Sequence, residues 1–285
     1  MKTRLTLLQA HIAHRGPGGY NVVVRKSFGC AHSRLSIVDL QDGWQPFLSG
    51  EHASVCNGEI CNFQDLKKKH SLEADCMTNS DCEVLIHLFH KLGNDFVKEL
   101  RGMFAFAILG PDTFFVARDP LGIKPLYFGN DSKGNTWFAS EILPLSHVCT
   151  DVNEFPPGHV STGEGGLRRY YFPLYFDFVN PPRTPDGRCS STAIREGLQA
   201  AVDRRLMADV PIGVFLCRTR SSRPTSSACQ AARLSSSLTP SPTRRTTPCL
   251  PAPMASTRPS PTRSRRRRLL SPPTMRPARC RAHAR

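Results

Sequence analysis

A chain of 285 residues is long enough for one or two domains, and its formal net charge of +15 invites a nucleic-acid reading. That charge is confined to one end. From Cys217 onward there are 16 arginines and no lysine, acidic, glycine or aromatic residue, which leaves residues 1–216 with a net charge of about −1 and excludes a strongly basic folded body.

Neither a secretory apolar core nor an apolar run long enough to span a bilayer occurs, so no membrane partner is expected. The eleven cysteines are irregularly spaced. Cys56 and Cys61 have no second pair at metal-ligand spacing, so they read as reduced thiols of a cytoplasmic protein without a metal site.

Residues 20–26 (YNVVVRK) and 28–38 (FGCAHSRLSIV), rich in β-branched and aromatic side chains, predict two strands. A third is predicted at 52–57, followed by a helical segment at 63–68. Ser80 or Asp81 then caps a helix with Val84, Leu85, Leu88 and Phe89 on one stripe, and Gly93 stops it. Ser80 and Glu83 have capping-box spacing. Residues 103–109 (MFAFAIL) and 113–119 (TFFVARD), joined through Gly110-Pro111-Asp112, predict a hairpin. Residues 125–129 and 136–140 predict another. Antiparallel strands with two helices between them make this part α+β.

Residues 180–188 are a linker by composition. Ile194, Leu198, Ala201, Val202 and Leu206 then repeat at helical spacing over 191–206, and the apolar run 212–216 predicts a buried strand. A helix feeding a buried strand opens a second, α/β domain. Residues 217–285, made of Arg, Ser, Thr, Pro and Ala, bury too little to offset their ordering entropy and are expected to be disordered.

Several short stretches carry chemistry: His14-Arg15-Gly16-Pro17, Arg34-Leu35-Ser36-Ile37-Val38-Asp39, Asn57-Gly58-Glu59-Ile60, Ser80-Asp81-Cys82-Glu83 and Arg118-Asp119-Pro120-Leu121-Gly122. Singly, each reads as a turn, a cap or a solvated charge. In this order, together with RGMFAFA, Ala139-Ser140-Glu141, EFPPGH (154–159) and LMADVPIGVFL (206–216), they resemble glutamine-dependent asparagine synthetases over roughly residues 11–216. The first part is thereby similar to a class II glutamine amidotransferase domain.

The resemblance implies a four-layer α/β/β/α sandwich of the N-terminal-nucleophile hydrolases over 1–179, and the start of an ATP-binding synthetase domain at 189–216. It implies a glutamine site in which Arg34 forks onto the α-carboxylate and the backbone of Leu35, Ser36, Ile37 and Val38 lines the pocket. Glu59 and Asp81 take the α-ammonium, while Asn57 and Gly58 form the oxyanion hole. Glutamine, aspartate and ATP are the implied substrates, with Mg²⁺ on the phosphates, and asparagine is the product of a C–N ligase. Leu216 is the one position matched at the ATP loop.

Two departures stand out. The family's nucleophile is an N-terminal cysteine whose free amine activates the thiol. This sequence begins Met-Lys-Thr and its first cysteine is Cys30, so no catalytic nucleophile is assigned and the chain is expected not to hydrolyse glutamine. After Leu216 the family's glycine-rich phosphate loop is replaced by Cys217-Arg218-Thr219-Arg220-Ser221. Codons for that arginine run, read one base later, can give Gly-Leu-Asp, so the tail is read as out-of-frame translation. The alternatives are a non-catalytic body whose basic run at 263–268 binds nucleic acid, and a glutamine-binding regulatory module. Without aromatic side chains for stacking, the nucleic-acid alternative ranks below the amidotransferase reading.

Overall fold

Side chains alternate across a strand, so a run apolar at every position must be buried on both faces. Residues 102–109 are such a run and organise the molecule. A computed structural model describes residues 1–163, 165–173, 190–216 and 230–234. In chain order the elements are α1 (Lys2–Ala10), β1 (Tyr20–Val24), β2 (Gly29–Ser33), β3 (Phe47–Ser49), β4 (His52–Ile60), α2 (Phe63–Lys69), α3 (Val84–Leu92), β5 (Gly102–Leu109), β6 (Phe114–Arg118), β7 (Tyr127–Asn130), β8 (Thr136–Ala139), α4 (Ile142–Ser146), β9 (Asn153–Glu154), β10 (His159–Thr162), β11 (Gly166–Arg169), α5 (Ser191–Asp203), β12 (Ile212–Leu216) and β13 (Gln230–Leu234). Antiparallel sheets with interspersed helices bear out the α+β reading.

A six-stranded antiparallel sheet, in the order β11-β10-β6-β5-β4-β3, forms the centre. On one face Phe104, Phe106 and Ile108 of β5 join Phe115 of β6 beneath Leu66 of α2 and Val84, Leu85 and Leu88 of α3. On the other, Ala105 and Val116 pack with Leu126 and Phe155, against Phe128 of β7 and Phe138 of β8. The three-stranded sheet β8-β7-β9 thus lies over the second face, with α4 against β7 and β8. The hairpin β1-β2 carries α1. The helix at residues 2–10 seats Leu5 among buried groups and leaves Leu7 exposed.

Several expectations are corrected. The second predicted strand stops at Ser33, because the Arg34 N–H donates to Gly19 O and the Arg34 guanidinium turns back onto Asp39 O. The third runs three residues further, to Ile60. The capping box does not form: Glu83 accepts from the backbone N–H of Met77 and Thr78 and from the Thr78 hydroxyl, so it ties down the preceding turn instead. α5 ends at Asp203, and its stripe of Ile194, Leu198 and Val202 is exposed. β12 forms where predicted but pairs antiparallel with β13, inside the tail expected to be disordered. A ladder is made by the main chain, so the tail's polar composition did not exclude it. The remaining tail, and linker residues 180–188, lie outside the described residues. Among the described residues no helix is long and apolar enough to cross a membrane.

Candidate functional site

Between the end of β4, the loop after β2 and the second sheet lies a cavity of about 940 Å³. Arg34, Leu35, Ser36, Ile37, Val38, Asn57, Gly58, Glu59 and Asp81 all line it. Nine positions from three separated segments therefore share one hollow.

The antiparallel register makes the centre of the site. Gly58 lies opposite Phe104, and a Cβ on Gly58 would stand 2.2 Å from the Met103 carbonyl oxygen. Only glycine lets β4 approach β5 this closely while leaving its own backbone at the cavity wall. Asn57, beside it, directs its side-chain N–H toward Ser140 Oγ at 3.5 Å. Ser140 also lines the cavity, and its neighbour Glu141 accepts from Arg15 at 3.2 Å and pairs with His14 at 2.9 Å. The Ala-Ser-Glu and His-Arg-Gly-Pro stretches thus meet, which their 126-residue separation hid.

Arg34 is buried, with its guanidinium 4.5 Å from the Trp44 ring centre, a cation–π seat that holds it flat. One N–H is spent on Asp39 O, and the planar fork has others for a ligand. Asp39 is itself buried at φ 52°, a conformation asparagine and aspartate tolerate better than most residues. Its carboxylate accepts from the N–H of Asp42 and of Asn79, which joins the Arg34 loop to the turn that bears Asp81.

Asp81 is fixed by the Ile60 N–H at 2.7 Å and by the Cys82 thiol. Burial raises its pKa above the ordinary carboxylate range, against those hydrogen bonds. Burial likewise raises Glu59; Lys124 and Arg205 oppose the rise and the Asp81 charge adds to it. Two carboxylates in a partly dehydrated wall form a seat whose cost falls when a cation arrives.

Cys30 also lines the cavity, and burial pushes its thiol up to about 12, so it is a protonated thiol at neutral pH. Burial lowers His32 to about 4, leaving a neutral imidazole. Among the described residues no cluster of three or more His, Cys, Asp or Glu could hold a metal ion. Leu216 is the last residue of β12, and the loop after it lies outside the described residues.

The family model described as a glutamine amidotransferase domain matches residues 1–156. The chain belongs to that family. As an amidotransferase chain it is 40% identical over 220 residues to the glutamine-hydrolysing asparagine synthetase of Zea mays, covering 75% of this chain and 37% of that protein. It is 38% identical over 208 residues to asparagine synthetase B of Escherichia coli strain K12, covering 71% and 37%. It therefore spans a little over a third of the length of these curated relatives. A solved glutamine phosphoribosylpyrophosphate amidotransferase from B. subtilis shares 22% identity at a TM-score of 0.47, covering 56% of this chain and 44% of that one.

Proposed function

We propose that the cavity binds free glutamine, as the glutamine-accepting part of an asparagine synthetase-type amidotransferase. The observation that carries this reading is the convergence of Arg34, Asn57, Gly58, Glu59 and Asp81 on one cavity. A free amino acid offers an α-carboxylate, an α-ammonium and a side-chain amide. Arg34 supplies a bidentate donor for the first, and Glu59 and Asp81 supply anions for the second. Asn57 and the Gly58 N–H are the donors for oxygen at the amide carbon, each such donor being worth about 2.7–4 kcal/mol at an oxyanion. Helices on one face of the central sheet, and a second sheet bearing α4 on the other, favour the four-layer sandwich of N-terminal-nucleophile hydrolases.

Hydrolysis needs an activated thiol, and Cys30 does not supply one: its amine is in a peptide bond and its thiol is held protonated. We assign no nucleophile among the described cysteines of the cavity. By family, the nitrogen would pass to ATP-activated aspartate, in the cytoplasm, with Mg²⁺ on the phosphates. The residues present do not fit that group. No glycine follows Gly213, whereas a phosphate-cradling loop depends on close backbone approach. β12 is paired antiparallel with β13. No step through ATP or Mg²⁺ is assigned to this chain.

The test is isothermal calorimetry with L-glutamine on the 285-residue chain. Saturable binding is expected, weakened at least about tenfold in Arg34→Ala, since a charged hydrogen bond is worth about 1.5–3 kcal/mol. Absence of heat from folded protein would sink the reading.

A further inference from the structure

The segment between α5 and β12 supplies no wall of the cavity, yet Asp209 bonds twice to the loop that lines it. Asp209 donates its backbone N–H to Ile37 O at 2.8 Å and accepts the Asp39 N–H on Oδ2 at 2.7 Å. Val38, which lines the cavity, is bracketed between those two bonds. Two residues earlier, Met207 packs on the main apolar core. Two earlier again, Arg205 lies close enough to Glu59 for its charge to favour the carboxylate. The segment thus meets the amidotransferase body at Arg205, Met207 and Asp209, as a strap laid across it.

We propose that this strap is a positioning element of the glutamine site, with Asp209 as the positioning residue that joins the cavity loop to the base of β12. The inference rests on the glutamine reading of the cavity and adds to it a path out of the site. Asp39 is buried, and without Asp209 its N–H would have no acceptor. Asp39 also anchors the Arg34 guanidinium through its carbonyl and the Asn79 turn through its carboxylate. Release of one bond would therefore loosen both ends of the amino-acid seat. By reciprocity, a ligand that orders the loop must tighten the strap and, through Asp209, the first residues of the following strand.

Hydrogen exchange by NMR on the full chain tests this, with glutamine calorimetry on the same samples. In Asp209→Ala the Asp39 amide is expected to exchange at least about fivefold faster, and glutamine affinity to fall about fivefold, the effect of losing one ordinary hydrogen bond. Asp209→Asn keeps an acceptor oxygen and is expected to restore both values, which a role through charge or packing would not. If the alanine variant does not fold, the unmutated chain decides: saturating glutamine is expected to slow exchange at the Asp209 amide severalfold. Glutamine binding with unchanged Asp209 exchange, or an alanine variant with native Asp39 exchange and affinity, would overturn the strap. A chain that binds no glutamine would instead overturn the function proposed above and the coupling with it. Asp39 exchange in the unliganded alanine variant would then still report whether the loop is held.

Discussion

Gly58 shows how tightly a single position can be bound to the site. Its missing side chain faces the Met103 carbonyl and the Phe104 backbone, and both belong to a strand buried on two sides. Neither can move away cheaply, so Gly58→Ala is expected to cost about 3 kcal/mol of stability, at the upper end for an added methyl in a packed interior. Urea unfolding of the variant checks this, and a midpoint equal to that of the parent would refute the close approach of β4 to β5. The residues of the site were legible in the sequence as types in an order. Arg34, Asn57, Gly58, Glu59 and Asp81 could be named because the stretches that carry them resemble those of the asparagine synthetase family, and their chemistry suits an amino-acid seat. What could not be read was how each is held. Trp44 under Arg34 and Ser140 beside Asn57 come from other segments, and local spacing carries no trace of them. Asp39 was visible only as the last residue of the Arg34 stretch, although it exchanges hydrogen bonds with Arg34, Asp42, Gly43, Asn79 and Asp209.

Elements were legible where their own side chains decide their fate. β5 and β6 alternate between two apolar cores, and the Gly110 N–H to Thr113 O bond closes the hairpin that their spacing implied. Residues 34–38 misled because Leu35, Ile37 and Val38 look like strand interior, while Leu35 is 59% exposed in a loop shaped by partners as distant as Asp209. The turn before α3 misled in the same way. Ser80 and Glu83 have capping spacing, but Glu83 is engaged by Thr78 and Met77, so the helix begins without a side-chain cap. That engagement has a pH signature. Burial works to raise the Glu83 pKa, yet the neighbouring His87 ring and the hydrogen bonds from Thr78 and Met77 outweigh it and hold the group at about 2. A carboxylate whose folded pKa lies below its unfolded value stabilises the fold above that unfolded value, near 4.5, and loses the contribution as pH falls toward 2. Glu83→Gln is accordingly expected to be less stable than the parent by roughly 2 kcal/mol near neutrality, the scale of charged hydrogen bonds. Denaturation curves of the two proteins should converge on acidification; a gap of constant size across that range would show that the charge plays no part.

At the scale of the whole molecule, net charge and binding site separate along the chain. The formal +15 arises after Leu216, whereas the cavity belongs to a body near neutrality. Residues Met1–Leu238 form one compact unit, and Thr239–Arg285 contain 12 of the 16 arginines of the tail. Free glutamine has one positive and one negative group, so a distant field of one sign gives it no net attraction. Beyond about 8 Å, salt screens that field in any case. A polyanion responds differently, because each arginine that meets it releases counterions. Ending the chain at Leu238 should therefore leave glutamine affinity within about twofold of the parent while sharply reducing the salt needed to elute the protein from heparin. Calorimetry and heparin chromatography on the same two preparations separate the cases. A shortened chain that stays folded, shown by an unchanged urea midpoint, yet binds glutamine tenfold more weakly would place part of the amino-acid seat beyond Leu238. Residues 34–38, 57–59 and 81 would then be an incomplete set of its walls.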